Sequence, residues 1–257
     1  MVKNTSAASA FDEYYRSFYQ DRWDSLKKAL LKERKPIAYT EGLLQPYYLD
    51  EASIVAARAL DVSEGDRVLD LCAAPGGKTL ILATALKGSG SLTANDRSSA
   101  RRARLRDVIQ DHLSEKDRAN MTITSHDATR WSLYEQDAYD KILLDAPCSS
   151  ERHVLADEKA LREWSPARPK RLAVNQFAML ASALETVVAG GTILYSTCSI
   201  NPQENEEVVA KLEKRRAGRF EEILLDVGEK RSFGSIILPD ASGGKGPLYM
   251  CLIRRLR

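Results

Sequence analysis

Two cysteines each stand just past an apolar run. One run is Lys141-Ile142-Leu143-Leu144-Asp145-Ala146-Pro147-Cys148-Ser149-Ser150, the other Thr192-Ile193-Leu194-Tyr195-Ser196-Thr197-Cys198-Ser199. Short apolar runs of this kind read as buried strands of a parallel sheet. Both thiols are then expected at the carboxyl ends of neighbouring strands, where open α/β sheets bind ligands. A third such segment lies upstream, Val68-Leu69-Asp70-Leu71-Cys72-Ala73-Ala74-Pro75-Gly76-Gly77-Lys78-Thr79. A strand running through a small, glycine-containing turn into a helix suits a cofactor held by backbone N–H groups. One cofactor loop and two thiols point to covalent group transfer.

Ala73, Ala74, Gly76 and Gly77 remove side-chain bulk, so a ligand can approach the main chain closely. Gly77-Lys78-Thr79 matches the end of a phosphate-binding loop, but that pattern also needs a glycine where Cys72 stands. No G-x-G-x-x-G is present for a dinucleotide. Carboxylates narrow the choice. Asp96 follows the second strand, roughly 20 residues after the loop, where an acid can accept from both ribose hydroxyls of a nucleoside. Asp127 follows the third strand and suits an adenine amino group; Asp145 follows the fourth. A strand-end aspartate also caps the next helix, but three in succession beside this loop are harder to explain so.

Taken together, LCAAPGGKT (71–79), LLDAPCSS (143–150) and YSTCSINPQENE (195–206) resemble the S-adenosylmethionine-dependent RNA cytosine-C5 methyltransferases of the Sun family (the RsmB/Nop2/Sun type). The resemblance runs from about Tyr14 to the C-terminus. Phe11-Asp12-Glu13-Tyr14-Tyr15, Asp21-Arg22-Trp23 and Gly246-Pro247-Leu248-Tyr249-Met250-Cys251 look most like the ribosomal-RNA enzymes of mitochondria and their bacterial relatives. The resemblance implies a Rossmann-like class I methyltransferase sheet. It implies S-adenosyl-L-methionine bound by Cys72, Ala73, Ala74, Pro75, Gly76, Gly77, Lys78, Asp96, Arg101, Asp127 and Asp145. Cytosine C5 is a poor nucleophile until a thiolate adds to C6 and makes it enamine-like, and a second thiol can assist release by proton transfer. Chemistry alone does not order the two. By resemblance Cys198 is the nucleophile and Cys148 the release residue, whereas DNA cytosine methyltransferases attack from the proline-cysteine position. Asp145 is expected at the cytosine N3/N4 edge, with a protonated form helping to polarise the ring. Lys78, and a helix starting near Asn201-Pro202, are expected to favour the thiolate. The target base must leave its stack or come from a single-stranded loop.

These side chains need elements to hold them. At 257 residues, 44% of them hydrophobic, the chain suits one large domain or a domain with a small appendage. Residues 11 to about 60 read as mostly helical. Phe11, Tyr14, Tyr15, Phe18 and Tyr19 recur at helical spacing, and Trp23, Leu26, Leu30 and Leu31 continue the face. Such an aromatic stripe suits core packing better than RNA stacking. Pro36 breaks the pattern, and Asp50 starts a second helix through Ala59. From Gly65, short apolar runs alternate with helical stretches, the mark of a doubly wound α/β layer. Strands are predicted over 67–72, 91–95, 122–125, 139–144 and 191–196. Helices are predicted over 79–86, 98–113, 168–189 and 202–215. Apolar runs at 222–226, 235–238 and 248–253 read as strands that extend the sheet antiparallel as a C-terminal hairpin. The division is a helical N-terminal extension over 1–60 and a methyltransferase domain over 61–257.

A net charge of +2 does not demand a nucleic-acid partner. Local clusters are more suggestive: Lys27, Lys28, Lys32, Arg34 and Lys35; Arg101, Arg102, Arg104 and Arg106; Arg168, Lys170 and Arg171; Arg254, Arg255 and Arg257. Each also suits a solvated helix face or a terminus. The four cysteines form no C-x-x-C pair and there are three histidines, so no metal site is expected. Cys72 and Cys251 read as buried thiols, His126 and His153 as structural or surface residues. No signal peptide or membrane-spanning stretch is read, and reduced thiols fit a cytoplasmic setting. The expected partner is RNA, with rRNA or a ribosomal subunit favoured over tRNA. No further RNA-binding domain is read, so target choice falls to the N-terminal helices, the basic clusters, a pre-assembled particle or a partner protein. A rival reading is a non-catalytic ribosome-assembly factor on the same fold, which has no need of Cys148, Cys198, Lys78 and three acids. Methylation of an exocyclic nitrogen would call for an Asn/Asp-Pro-Pro-aromatic turn, which Asp145-Ala146-Pro147-Cys148 is not.

Overall fold

The computed structural model describes residues 7–33 and 35–257; Arg34 of the first basic cluster lies outside them. Helices α1 (Ala7–Tyr19) and α2 (Trp23–Leu31) open the chain. Two short strands follow, β1 (Ile37–Tyr39) and β2 (Tyr47–Leu49), then α3 (Glu51–Ala59). The doubly wound part comprises β3 (Arg67–Asp70), α4 (Gly77–Ala85), β4 (Ser91–Asn95), α5 (Ser99–His112), α6 (Glu115–Arg118), β5 (Met121–Thr124) and β6 (Tyr139–Asp145). It continues through α7 (Glu151–Ala156), α8 (Glu158–Arg162), α9 (Ala167–Thr186), β7 (Val187–Thr197) and α10 (Glu206–Arg215). The tail adds β8 (Phe220–Ile223), β9 (Glu229–Lys230), β10 (Ser235–Ile237) and β11 (Leu248–Arg255).

The central sheet runs β5-β4-β3-β6-β7-β11-β10-β9, with β8 also on β11. β3 to β7 pair parallel, and β11 pairs antiparallel with β7, β8 and β10. The chain leaves β3 toward β4 and β5, then returns to the other side for β6 and β7. This topological switch opens a crevice at the carboxyl ends of β3 and β6. Alternate strand residues feed two apolar layers, as a period of two requires. Leu69, Ile142, Leu144, Ile193, Tyr195 and Cys251 pack with α1, α2, α9 and α10. Val68, Leu92, Leu143, Leu194 and Met250 pack with α3, α4 and α5.

The aromatic stripe is core. Phe11, Tyr15 and Trp23 are fully buried, and the Tyr15 and Trp23 rings stack with centroids 5.4 Å apart. Trp164 closes this cluster edge-on to Phe11 at 4.9 Å. Asp50 starts α3 as expected, its carboxylate accepting from Ala52 N at 2.9 Å. Three differences stand out. The segment 37–49 is a two-stranded antiparallel sheet rather than helix. The segment 151–162 forms the two short helices α7 and α8. The helix expected from 202 to 215 is split: Pro202–Glu204 is a single 3-10 turn, and Asn205, with φ −109° and ψ −111°, separates it from α10. No helix among the described residues is long and apolar enough to cross a membrane.

Candidate active site

Two cavities share the crevice. The first, about 420 Å³, is lined by Asp70, residues 72–75, Gly77, Lys78, Asp145, Ser150 and Cys198, and walled by residues 47–50 and 246–248. The second, about 320 Å³, is lined by Asp96, Arg97, Arg101, His126, Asp127 and Met179. Cys72 borders both. The loop after β3, the acids after β4, β5 and β6, and the thiol after β7 therefore converge, as their strand ends require.

Gly76 has φ +122°, and a Cβ there would meet Val108 at 2.8 Å. At Gly77 a Cβ would meet the Tyr47 ring at 2.9 Å, so hairpin and loop fit only without a side chain. Arg101 donates to Ala74 O and lies 3.2 Å from Asp96 Oδ2. Asp96 Oδ1 accepts from Ser98 N at 2.9 Å. Asp127 also caps a turn, accepting from Thr129 N at 3.0 Å and Thr129 Oγ1 at 2.8 Å, and the Thr129 hydroxyl holds its carboxyl below the usual range. Asp127 thus caps the turn that follows it, whereas Ser98 and not Asp96 caps α5; both acids line the cavity.

Lys78 Nζ donates to Asp145 Oδ2 at 2.7 Å, and Ser196 Oγ donates to Asp145 Oδ1 at 2.8 Å. Burial pushes the Lys78 ammonium down, but Asp145 and, more weakly, Cys198 and Asp70 outweigh it, so it stays a firm cation. Both Asp145 oxygens thus serve as acceptors.

Cys148 and Cys198 are free thiols with sulfurs 3.0 Å apart. Cys198 is among the residues lining the first cavity and Cys148 is not, while both are half-buried. The Cys198 sulfur is drawn below the usual thiol range because Cys148, and then Ser150, donate to it. Cys148 is pushed well up, first as the donor in that contact and then by burial. The three-residue turn after Asn201 is too short to act as the helix end expected to stabilise a thiolate; the neighbouring donors and Lys78 do that instead. Cys251 is buried in the sheet. His153 is exposed on α7, and His126 packs against the Tyr134 ring at 4.3 Å.

Several residues here escaped the sequence reading. Asp70 is buried, accepts from Thr79 Oγ1 at 2.8 Å, and is pushed up to about 7, mainly by burial. Asn95 is buried and bonds Leu71 O at 3.0 Å and His126 N at 2.8 Å, tying the loops after β3 and β5 together. Tyr47 and Tyr48 come from the unexpected hairpin. Glu151 and Glu204 meet behind the thiols.

A doubly wound sheet with this loop, these strand-end acids and an antiparallel final strand defines a Rossmann-like methyltransferase. The structure of PH0851 superposes with a TM-score of 0.83 over 96% of this chain and 65% of that one, at 22% identity. A methyltransferase homologue from Pyrococcus horikoshii gives a TM-score of 0.77 over 96% and 95%, also at 22% identity. These likenesses establish the fold. The sequence profile of the family described as 16S rRNA methyltransferase RsmB/F matches residues 57–251, and the chain belongs to that family. The 5-cytosine rRNA methyltransferase NSUN4 of Bos taurus is 34% identical over 237 residues, 84% of this chain and 61% of the relative. The ribosomal RNA small subunit methyltransferase F of Salmonella agona is 38% identical over 199 residues, 76% of this chain and 41% of the relative. This chain thus spans less than two thirds of either relative. Family and branch agree with the motif resemblance.

Proposed function

We propose that this chain transfers a methyl group from S-adenosylmethionine to C5 of cytosine in RNA, with ribosomal RNA as substrate. The observation that carries the reading is the pair of thiols 3.0 Å apart beside the Lys78–Asp145 pair, on a cavity continuous with the cofactor loop. The cofactor suits the residues present. Buried Asp70 Oδ1 accepts no hydrogen bond, and Asp96 Oδ2 has no aligned donor, only the approach of Arg101. The first faces the cavity that would take the ammonium end; the second faces the one that would take the ribose hydroxyls. Residues 72–78, Arg101 and Asp127 complete the cradle.

When bound, S-adenosylmethionine supplies an electrophilic methyl on a sulfonium. Cys198, as thiolate, adds to cytosine C6, and the displaced π electrons make C5 the nucleophile that takes the methyl. Asp145 accepts from the exocyclic amino group, holding the ring edge while Lys78 holds Asp145. Loss of the C5 proton and breaking of the S–C6 bond restore the ring and the thiolate. Cys148, a thiol 3.0 Å away, gives its proton to the departing Cys198 sulfur and takes up the C5 proton in its place; one proton then passes to solvent as Cys198 returns to thiolate. Residues 1–60 act in this reading as an appendage to the methyltransferase domain at 61–257. Free thiols in these roles suit a reducing, cytosol-like compartment.

The test is methyl transfer from labelled cofactor to separated cellular RNA fractions and ribosomal subunits, for wild type, Cys198→Ala and Cys148→Ala. The reading expects label in one ribosomal RNA, absent with Cys198→Ala. Label confined to tRNA would move the substrate to the tRNA alternative. Label in subunits but not naked RNA would assign target choice to the particle. No label anywhere, with cofactor bound, would favour the assembly-factor reading.

A further inference from the structure

Glu151 begins α7 and Glu204 ends the turn after Cys198, and both are fully buried. Their hydrogen-bond partners among the described residues are neutral. Glu151 accepts from Tyr15 OH at 2.6 Å and Ile200 N at 3.0 Å. Glu204 accepts from Ser149 N and Gln176 Nε2, both at 2.9 Å. Ser149 Oγ touches Oε1 of both carboxylates, and Ser199 Oγ lies 3.0 Å from Glu151 Oε1 and 3.1 Å from Glu204 Oε1. Two hydroxyls own two protons, yet they face four carboxylate contacts. A carboxyl proton donated back to a serine oxygen makes one further contact, which two bare carboxylates cannot. Two bare charges so close, with no cation among those partners, also repel.

We propose that Glu151 and Glu204 share one proton and act as a positioning pair: their single remaining charge keeps Cys148 a thiol, leaving Cys198 to become the thiolate. The inference rests on the proposed reaction for the meaning of those two roles. The pair makes the cysteines unequal because both of its members act on Cys148. Glu204 and then Glu151 push Cys148 up; Glu151 also pushes Cys198 up, but Lys78 is coupled to Cys198 and offsets it there. Burial, then Glu151, lifts Glu204 to about 7. The other groups facing the pair are Tyr15, with Tyr14 beside it, from α1 and Gln176 from α9. Both tyrosines are raised, first by burial, and so stay neutral donors.

The test needs no methyl transfer, so it stands or falls apart from the reaction. Iodoacetamide alkylation of Cys148 and Cys198 is followed by mass spectrometry against pH. Glu204→Gln mimics the protonated partner and leaves one charge on Glu151; the double change Glu151→Gln/Glu204→Gln leaves none. The expected result is a wild-type gap between the thiols in the single variant. In the double variant Cys148 should react about tenfold faster at a given pH, a shift of about one unit. An unchanged Cys148 profile in a folded double variant would overturn the proposal. Should the double variant not fold, urea unfolding of Glu204→Gln against wild type decides. A glutamic acid raised to about 7 when folded holds its proton in the native state, so wild type should lose stability relative to the variant as pH rises from about 4.5 to about 7. A pH-independent difference would overturn it.

Discussion

At the scale of single residues, the assignment turns on which sulfur faces the cavity. Chemistry alone leaves the two cysteines interchangeable; the fold puts Cys198 on the cavity lining with the Cys148 sulfur 3.0 Å from it. Lys78 then has two tasks, pairing Asp145 and keeping positive charge near Cys198. Lys78→Met should lower the single-turnover methylation rate about a hundredfold and, by leaving Asp145 unpaired, cost about 3 kcal/mol in urea unfolding. An unchanged single-turnover rate would remove Lys78 from the account. Asp70 supplies a pH signature. Raised to about 7, it must lose its proton to accept from the cofactor's ammonium group, so cofactor affinity should rise as pH passes about 7. Asp70→Asn should bind weakly with that dependence gone, as isothermal titration at several pH values would show. The thiols, the loop and the strand-end acids were legible because each sits at a fixed offset from an apolar run. Asp70 was not, because it lies inside the strand and reads as part of it. Glu151 and Glu204 were not, because they are 53 residues apart and meet only once β6 and β7 pair.

At the scale of elements, α1 is the least obvious contributor to the site. Its stripe was legible as packing, from helical spacing alone. That its tyrosines also hold the loop after Cys198 was not. Tyr15 OH reaches Glu151, Tyr19 OH donates to Ile200 O at 2.7 Å, and Tyr14 OH accepts from Asn201 Nδ2 at 3.1 Å. Tyr15→Phe keeps the ring and removes one donor from a buried carboxylate. It should cost about 2 kcal/mol in urea unfolding. Phe18→Ala, on the more exposed side of the same helix, should cost less than about 0.5 kcal/mol. The hairpin β1–β2 was missed for a plain reason: three-residue strands are too short to show a period of two. β3, β6 and β7 were found because burial on both faces leaves near-continuous apolar runs. The break at Asn205 was invisible because its side chain trades helical continuity for tertiary bonds, accepting from Thr197 Oγ1 at 2.6 Å and donating to Ser199 O at 2.9 Å.

At the scale of the whole molecule, the small net charge means that the proposed RNA substrate would have to be held by the placement of a few cations. The C-terminal cluster lies at the wrong end: Arg254 pairs in register with Thr192, six residues before Cys198, and Arg255 bonds to Asp137 at 2.7 Å. Lys27 is paired with Asp12 at 2.8 Å. Lys170 and Arg171 instead occupy the turn of α9 next to Leu172, which lines the second cavity, and Arg97 there is 79% exposed. Lys170→Glu/Arg171→Glu should weaken RNA binding and reduce the log-affinity against log-salt slope by about one to two, with Arg254→Glu nearly neutral. Equal effects from both ends of the sheet would contradict this placement. The central claim, that Cys198 attacks the base and Cys148 releases it, meets its most direct test in covalent trapping. RNA containing 5-fluorocytidine, which cannot lose a C5 proton, is incubated with enzyme and cofactor and run on a denaturing gel. Wild type and Cys148→Ala should both give a protein–RNA adduct mapping to Cys198, and Cys198→Ala none. An adduct on Cys148, or one that survives Cys198→Ala, would contradict the account.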